Sequence, residues 1–129
     1  MERIKSKSDK RLIVETTVNN KTAYFLIDTG ASVGMIDSNQ RKKYDLEKGK
    51  KYSGTLVGAG GEIKDVYHCN VFVNIKDTKI PQFLLADISQ VVQSIEVQTG
   101  IRILGIISLT QCKIANISLD CNDNEIILE

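Results

Sequence analysis

This sequence predicts an all-β fold with two or three short helices, and three observations lead to that prediction. Valine and isoleucine, which favour strands, are abundant. Short apolar runs recur along the chain between turn signals of glycine, asparagine and aspartate. Proline, which interrupts sheets, occurs once, as Pro81. Together these features indicate a β-barrel or a β-sandwich.

The composition is that of a folded globular domain. The chain has 129 residues, 42% of them hydrophobic and 26% charged, which is enough for one core and excludes a disordered chain. A net charge of +1 and the absence of tryptophan argue against a nucleic-acid partner. No apolar run approaches the ~20 residues of a membrane span, and residues 1–11 are too charged for a signal peptide. We therefore expect no membrane partner and a cytoplasmic location.

The first half of the chain predicts an arm, two paired strands and a short helix. Residues 1–11 read as a flexible charged arm, and residues 12–129 as a single domain. Apolar and polar residues alternate over 12–18, and an asparagine turn leads to a strand over 22–27. That second strand is apolar on both faces and should be central in its sheet. A short strand over 33–36 and a capped helix ending near residue 44 should follow.

The second half predicts a glycine-tipped hairpin and further short elements. Strands over 53–57 and 62–68 flank the glycine-rich tip, and strands over 71–75 and 79–86 follow. Apolar residues at helical spacing predict a helix over 88–97. A strand over 101–104 should end at Gly105, before a brief helix over 107–112. The chain should close with a hairpin of residues 114–120 and 125–128.

The triplet Asp28-Thr29-Gly30 stands at the end of the apolar run of residues 23–27. A strand that leaves the hydrophobic interior at an acidic residue places one carboxylate at a defined point. The sequence holds one such triplet, and one carboxylate is half of an acid/base pair. A second copy of the chain could supply the other half. The alternative is a plain hairpin end, since all three residues favour turns.

No metal or cofactor is expected. The cysteines, Cys69, Cys112 and Cys121, lack the paired short spacings of a zinc site. They are expected to be reduced, with a disulfide between Cys112 and Cys121 as the alternative. The single histidine, His68, has no evident partner for a catalytic triad or a metal site.

Three features in this order resemble the retropepsins, the single-domain aspartic proteases of retroviral type. They are the apolar strand into the Asp28 triplet, the glycine-tipped hairpin over 55–64, and Ile103-Leu104-Gly105 ahead of a short helix. The resemblance spans residues 12–128. It implies a closed acid-protease β-barrel, a flap formed by the hairpin, and a homodimer that brings two copies of Asp28 together.

The resemblance also implies a set of site residues. Asp28, Thr29 and Gly30 would be catalytic, with Thr29 bonding across the two-fold axis and the N–H of Gly30 directed at the carboxylate. The substrate would contact the loop after the triplet, the flap and one strand residue, which are Ala31, Ser32, Val57, Gly58, Ala59, Gly60, Gly61 and Ile103. The implied activity is an aspartic endopeptidase that hydrolyses extended peptides.

Departures from the family pattern leave a second reading open. Many retroviral members carry an acidic residue and a basic one where this chain has Ser32 and Ile106, so their ion pair is missing. The apolar terminal strands, residues 12–14 and 126–128, are expected to be exposed edges that pair between subunits. The alternative function is a retropepsin-like module, possibly monomeric, that binds peptides or proteins without cleaving them.

Overall fold

The computed structural model describes residues 1–58 and 61–129. Fourteen strands and two α-helices are found in this part of the chain. The strands are β1 (Glu2–Lys5), β2 (Ile13–Val18), β3 (Lys21–Asp28), β4 (Gly34–Asp37), β5 (Lys48–Lys51), β6 (Leu56–Gly58), β7 (Gly61–Ile63), β8 (Tyr67–Cys69), β9 (Val73–Ile75), β10 (Thr78–Ile80), β11 (Phe83–Ala86), β12 (Gly105–Ser108), β13 (Ile117–Asp120) and β14 (Glu125–Leu128). The helices are α1 (Ser89–Thr99) and α2 (Leu109–Ile114), and Ser38–Gln40 forms one 3₁₀ turn.

Nine of the strands form one open sheet in the order β10-β9-β2-β3-β12-β4-β11-β8-β5. Strands β6 and β7 pair as a separate hairpin, and β1, β14 and β13 form a third sheet. The all-β prediction is confirmed, but the closed barrel is not: within residues 1–58 and 61–129, no sheet closes on itself. Strands β10 and β5 are the two edges of the sheet. A barrel would require β10 to pair with β5, and the two strands are not hydrogen-bonded to each other.

Strand β3 occupies the interior position that its apolar sequence predicts. It pairs antiparallel with β2 over six residues and parallel with β12 over four. Its side chains alternate between two hydrophobic clusters: Phe25 and Ile27 point into one, and Leu26 into the other. Helix α1 and the residue before it cover the second cluster with Ile88, Val92 and Ile95, as the spacing of these residues predicts.

The residues expected to form a flexible arm contain a strand. Strand β1 pairs antiparallel with β14, and Arg3 forms ion pairs with Asp120 at 3.3 Å and Glu125 at 3.1 Å. Three of the four residues of β1 are charged, so its sequence lacks the apolar pattern of a buried strand. The pairing partner, which is distant in sequence, decides its structure.

The terminal strands are buried rather than exposed edges. Strand β14 is bordered on both sides, by β1 and by β13, and Ile126 and Leu128 lie in the core. Residues 12–14, where β2 begins, are also enclosed within the chain, since Ile13 is fully buried and the N–H of Ile27 donates to the Leu12 carbonyl at 2.9 Å. The expectation that these strands wait to pair with a second subunit is therefore wrong.

Several element boundaries differ from the predictions. The helix expected to end near residue 44 is a single 3₁₀ turn, Ser38–Gln40, and the strand expected over 62–68 is divided into β7 and β8. The strand expected over 79–86 is split into β10 and β11 at Pro81, which has no N–H to donate to a ladder. The strand expected over 101–104 begins instead at Gly105, where pairing with β3 starts. No described helix is both long and apolar enough to cross a membrane.

Candidate active site

Asp28 is the last residue of β3, and its carboxylate is fixed by the turn that follows. Asp28 is partly exposed, while the three residues before it in the strand are buried. The backbone N–H of Gly30 donates to Asp28 Oδ1 at 2.9 Å, and the N–H of Ala31 donates to the Asp28 carbonyl at 3.1 Å. This local turn, which aspartate and glycine favour, leaves the second carboxylate oxygen free for other partners.

Strand β12 sits between the two strands that flank the Asp28 loop. It runs parallel to β3, with Ser108 opposite Asp28, and antiparallel to β4, with Ile106 opposite Met35. This insertion requires a close approach at Gly105, where a methyl group would lie 2.1 Å from the Met35 carbonyl oxygen and 2.8 Å from the Phe25 ring. Glycine at this position is therefore a packing requirement.

Hydrogen bonds at the start of α2 stabilise the structure beside the Asp28 loop. Ser108 and Gln111 form a capping box, in which the N–H of Gln111 donates to Ser108 Oγ at 3.2 Å and the N–H of Ser108 donates to Gln111 Oε1 at 2.9 Å. Gln111 Nε2 also donates to the Pro81 carbonyl at 2.8 Å. A methyl group at Gly34 would lie 2.0 Å from Gln111 Oε1, so this glycine makes room for the buried amide.

The loop and helix α2 are joined directly. The N–H of Leu109 donates to the Ala31 carbonyl at 3.4 Å. Sequence reasoning did not assign Gly34, Ser108 or Gln111 to the site. Ser-x-x-Gln is a recognisable helix-start pattern and could have drawn attention to the last two. The contact with Gly34 joins residues more than seventy positions apart and has no local signal.

The expected flap corresponds to the hairpin of β6 and β7. Leu56 pairs with Ile63, Val57 with Glu62, and Gly58 with Gly61. Its predicted tip residues Ala59 and Gly60 lie outside the described residues. Val57 is 76% exposed, whereas Leu56 and Ile63 pack against the cluster that also receives Ala31 and Val33 of the Asp28 loop. The hairpin and the loop therefore share one apolar layer.

The other predicted site residues fall into different environments. Thr29 and Gly30 are exposed beside Asp28, as is Ser32. Ser32 and Ser108 line a cavity of about 610 Å³, and none of the described residues in its wall is Asp, Glu, Lys or Arg. Ile103 is fully buried in the second cluster, so its side chain lies inside the core. Its N-terminal neighbour Arg102 is exposed.

The cysteines and the histidine show no arrangement for nucleophilic catalysis. All three cysteines are free, and Cys112 is buried while Cys121 is exposed, so the alternative of a disulfide between them is wrong. Burial raises the pKa of the Cys69 thiol to about 11 and also raises the pKa of Cys112. His68 is exposed and packs edge-on against Tyr52, with ring centroids 5.7 Å apart. A raised pKa disfavours the reactive thiolate, so neither Cys69 nor Cys112 is activated as a nucleophile.

Comparison with known protein families gives a match that includes the Asp28 loop, the hairpin and β12. The chain matches the model of a family described as aspartyl protease over residues 14–110. Among curated proteins, none is significantly similar in this comparison.

Solved structures with the same fold include viral, protozoan and bacterial proteins. The EIAV protease complexed with the inhibitor HBY-793 is 20% identical, with a TM-score of 0.64 over 91% of this chain and 99% of that one. The retroviral protease-like domain of Ddi1 from Leishmania major is 19% identical, with a TM-score of 0.59 over 92% and 88%. A retropepsin-like aspartic protease from Rickettsia conorii is 20% identical, with a TM-score of 0.60 over 98% and 97%. These likenesses establish a retropepsin-like fold.

Proposed function

Because this chain belongs to the aspartyl protease family, we propose that it is an aspartic endopeptidase that acts as a homodimer on extended peptides. The observation that carries the proposal is the placement of Asp28. Its carboxylate stands at the end of a buried strand, with one oxygen held by the N–H of Gly30 at 2.9 Å. The chain contains one Asp-Thr-Gly triplet, so a pair of such carboxylates needs two chains.

The chemistry follows from bringing two Asp28 carboxylates together. At a separation of about 3 Å two carboxylates cannot both ionise, so they share one proton. The ionised carboxylate takes a proton from a water molecule, and the oxygen of that water attacks the peptide carbonyl carbon. The protonated carboxyl donates a hydrogen bond to the carbonyl oxygen, and proton transfer to the amine then releases it.

The surrounding elements supply a rigid base and a cover. The turn at Gly30, the link from Leu109 to Ala31 and the capping box of α2 fix the loop, which favours a preorganised carboxylate. The hairpin of β6 and β7 would lie over a bound peptide and exclude water. Thr29, which is exposed at the loop, would contact its counterpart in the second subunit.

The test is the substitution Asp28→Asn, compared with Asp77→Asn in the exposed turn between β9 and β10. An amide cannot act as the base, so we expect cleavage of a mixed peptide library to fall by about three orders of magnitude or more. Fold and dimer should persist, by circular dichroism and light scattering. Peptide products are read by mass spectrometry at acidic and neutral pH. Cleavage by Asp28→Asn at a rate similar to Asp77→Asn would refute the assignment.

A second candidate is a peptide-binding module that does not cleave. One observation favours it: β14 is already paired on both sides within one chain, so the terminal sheet has no free β14 edge to offer a partner. Such a module would remain a monomer at concentrations where light scattering detects a dimer. It would bind library peptides equally well with aspartate or asparagine at position 28.

A further inference from the structure

A second cavity, of about 640 Å³, lies at the opposite end of β3 from Asp28. Its wall combines residues from the start of β3, the turns after β4 and the segment between α1 and β12. The side chains that define its chemistry are Lys7, Lys43, Arg102, Tyr24, Tyr44 and Thr22. A volume of this size is in the range of about 300–1,000 Å³ that small-molecule sites occupy.

Among the described residues, the wall of this cavity carries three cations and no carboxylate. Two of the cations are paired outside it: Lys7 with Glu15 at 3.7 Å, and Arg102 with Glu96 at 3.4 Å. All four of these side chains are about half exposed, and ion pairs of this kind are weak and readily exchanged. Lys43 is exposed, and among the ion pairs of the described residues it has none. The cavity is therefore electropositive, with cations that an incoming anion can recruit.

Two tyrosines line the cavity, and each combines an apolar ring with a hydroxyl group that can form hydrogen bonds. Tyr44 is buried, and its hydroxyl donates to the Thr22 carbonyl at 3.3 Å. Burial and the nearby Tyr24 hydroxyl raise the pKa of Tyr44, and the positive charge of Arg102 partly offsets that rise. Tyr24 and Arg102 are therefore close enough to Tyr44 to interact with it. The Lys43 ammonium lies 5.5 Å from the centre of the Tyr44 ring. The Tyr44 phenol therefore remains neutral and lines the same cavity as the cations.

We propose that this cavity binds a small organic oxyanion that carries a planar ring. Arg102 and Lys43 would hold the phosphate or carboxylate group, since guanidinium and ammonium groups bind both. The ring would lie against Tyr24 and Ile101, which also lines the cavity. Inorganic phosphate alone would leave most of the volume unfilled and should bind more weakly than the same group on a ring.

The experiment is an NMR titration of the ¹⁵N-labelled full chain at fixed ionic strength with inorganic phosphate, AMP and benzoate. Saturable shifts should cluster at the amides of Lys43, Gly100 and Arg102. AMP or benzoate should bind about tenfold more tightly than inorganic phosphate, because stacking on a tyrosine adds to the charge contact. Tight binding of AMP but not benzoate would identify the phosphate source of the anion, and the reverse would identify a carboxylate.

Matched variants separate a built site from general attraction to lysines. Arg102→Gln and Lys43→Gln should each weaken binding about tenfold, because each removes a charge-assisted hydrogen bond, whereas Lys113→Gln on α2 should leave it unchanged. Glu96→Gln should tighten binding about two- to threefold by releasing Arg102, a gain that Glu62→Gln on β7 should not reproduce. Circular dichroism confirms that each variant is folded.

Three results would overturn the proposal. They are equal weakening by Lys113→Gln, shifts spread over lysines outside the cavity, and absence of saturation by all three probes at about 10 mM, where a millimolar site would be filled. Because the experiment measures binding, its result tests the anion site independently of peptide cleavage by Asp28.

Discussion

Strand β12 pairs with β3 beside the Asp28 loop, the hairpin of β6 and β7 shares an apolar layer with that loop, and the two regions are held in opposite ways. Strand β12 is paired on both sides and all four of its residues are buried. Within the described residues the hairpin strands pair only with each other, through three residue pairs, and Val57 is 76% exposed. One region is fixed by long-range packing, and the other by local pairing and the half-buried Leu56 and Ile63.

The difference matches what the two regions would need to do. A carboxylate that shares a proton must be held within a fraction of an ångström, which calls for buried and interlocked supports. A cover over a peptide must open and close, so it belongs to the less stable part of a fold. Substitutions in β12 and α2 should therefore act on the free energy of unfolding, and substitutions in the hairpin on substrate binding.

The largest effect on stability is expected from Gly105→Ala. The added methyl group would lie 2.1 Å from a backbone carbonyl that cannot move aside alone, so β12 and β4 must separate. We expect a loss of about 3 kcal/mol or more in the free energy of unfolding, measured by urea denaturation. The control is Gly54→Ala, whose methyl group meets only the side chain of Tyr52. A loss equal to that of the control would contradict the close packing at Gly105.

A smaller effect, with a diagnostic coupling, is expected at Gly34 and Gln111. Gly34→Ala displaces the Gln111 amide from its bonds to Ser108 and Pro81, which should cost about 2 kcal/mol. In a Gln111→Ala background the methyl group meets no amide, so its cost should fall close to zero. The double-mutant cycle should then show about 2 kcal/mol of coupling. Additive losses would mean that the two residues act independently.

The smallest effect on stability is expected from Val57→Ser in the hairpin. Because Val57 is largely exposed, the free energy of unfolding should change by less than about 0.5 kcal/mol. If the hairpin covers the substrate, KM for peptide cleavage should rise several-fold while kcat changes less. Val97→Ser on the exposed side of α1 provides the matched control and should change neither quantity. An unchanged KM in Val57→Ser would place the peptide away from this strand.

Elements with a strong local pattern were predicted from the sequence. Strand β3, helix α1 and the closing hairpin of β13 and β14 each have a periodicity or a turn signal that specifies them. The Asp28 turn is also local, since the bond from Gly30 to the carboxylate spans two residues. Strand β1 and the start of β12 were missed, because each forms where a partner more than seventy residues away supplies the pairing.

The candidate site also contains features that the local sequence specifies and features that depend on distant residues. The sequence by itself determined that an apolar strand ends at Asp28 in a tight glycine turn, because those interactions lie within a few residues. Tertiary structure alone decided that β12 enters between β3 and β4, that Gln111 fits against Gly34, and that Lys7, Lys43 and Arg102 line one cavity. The physical reason is that packing and charge act through space, so residues far apart in the chain acquire a shared environment only when the sheet forms.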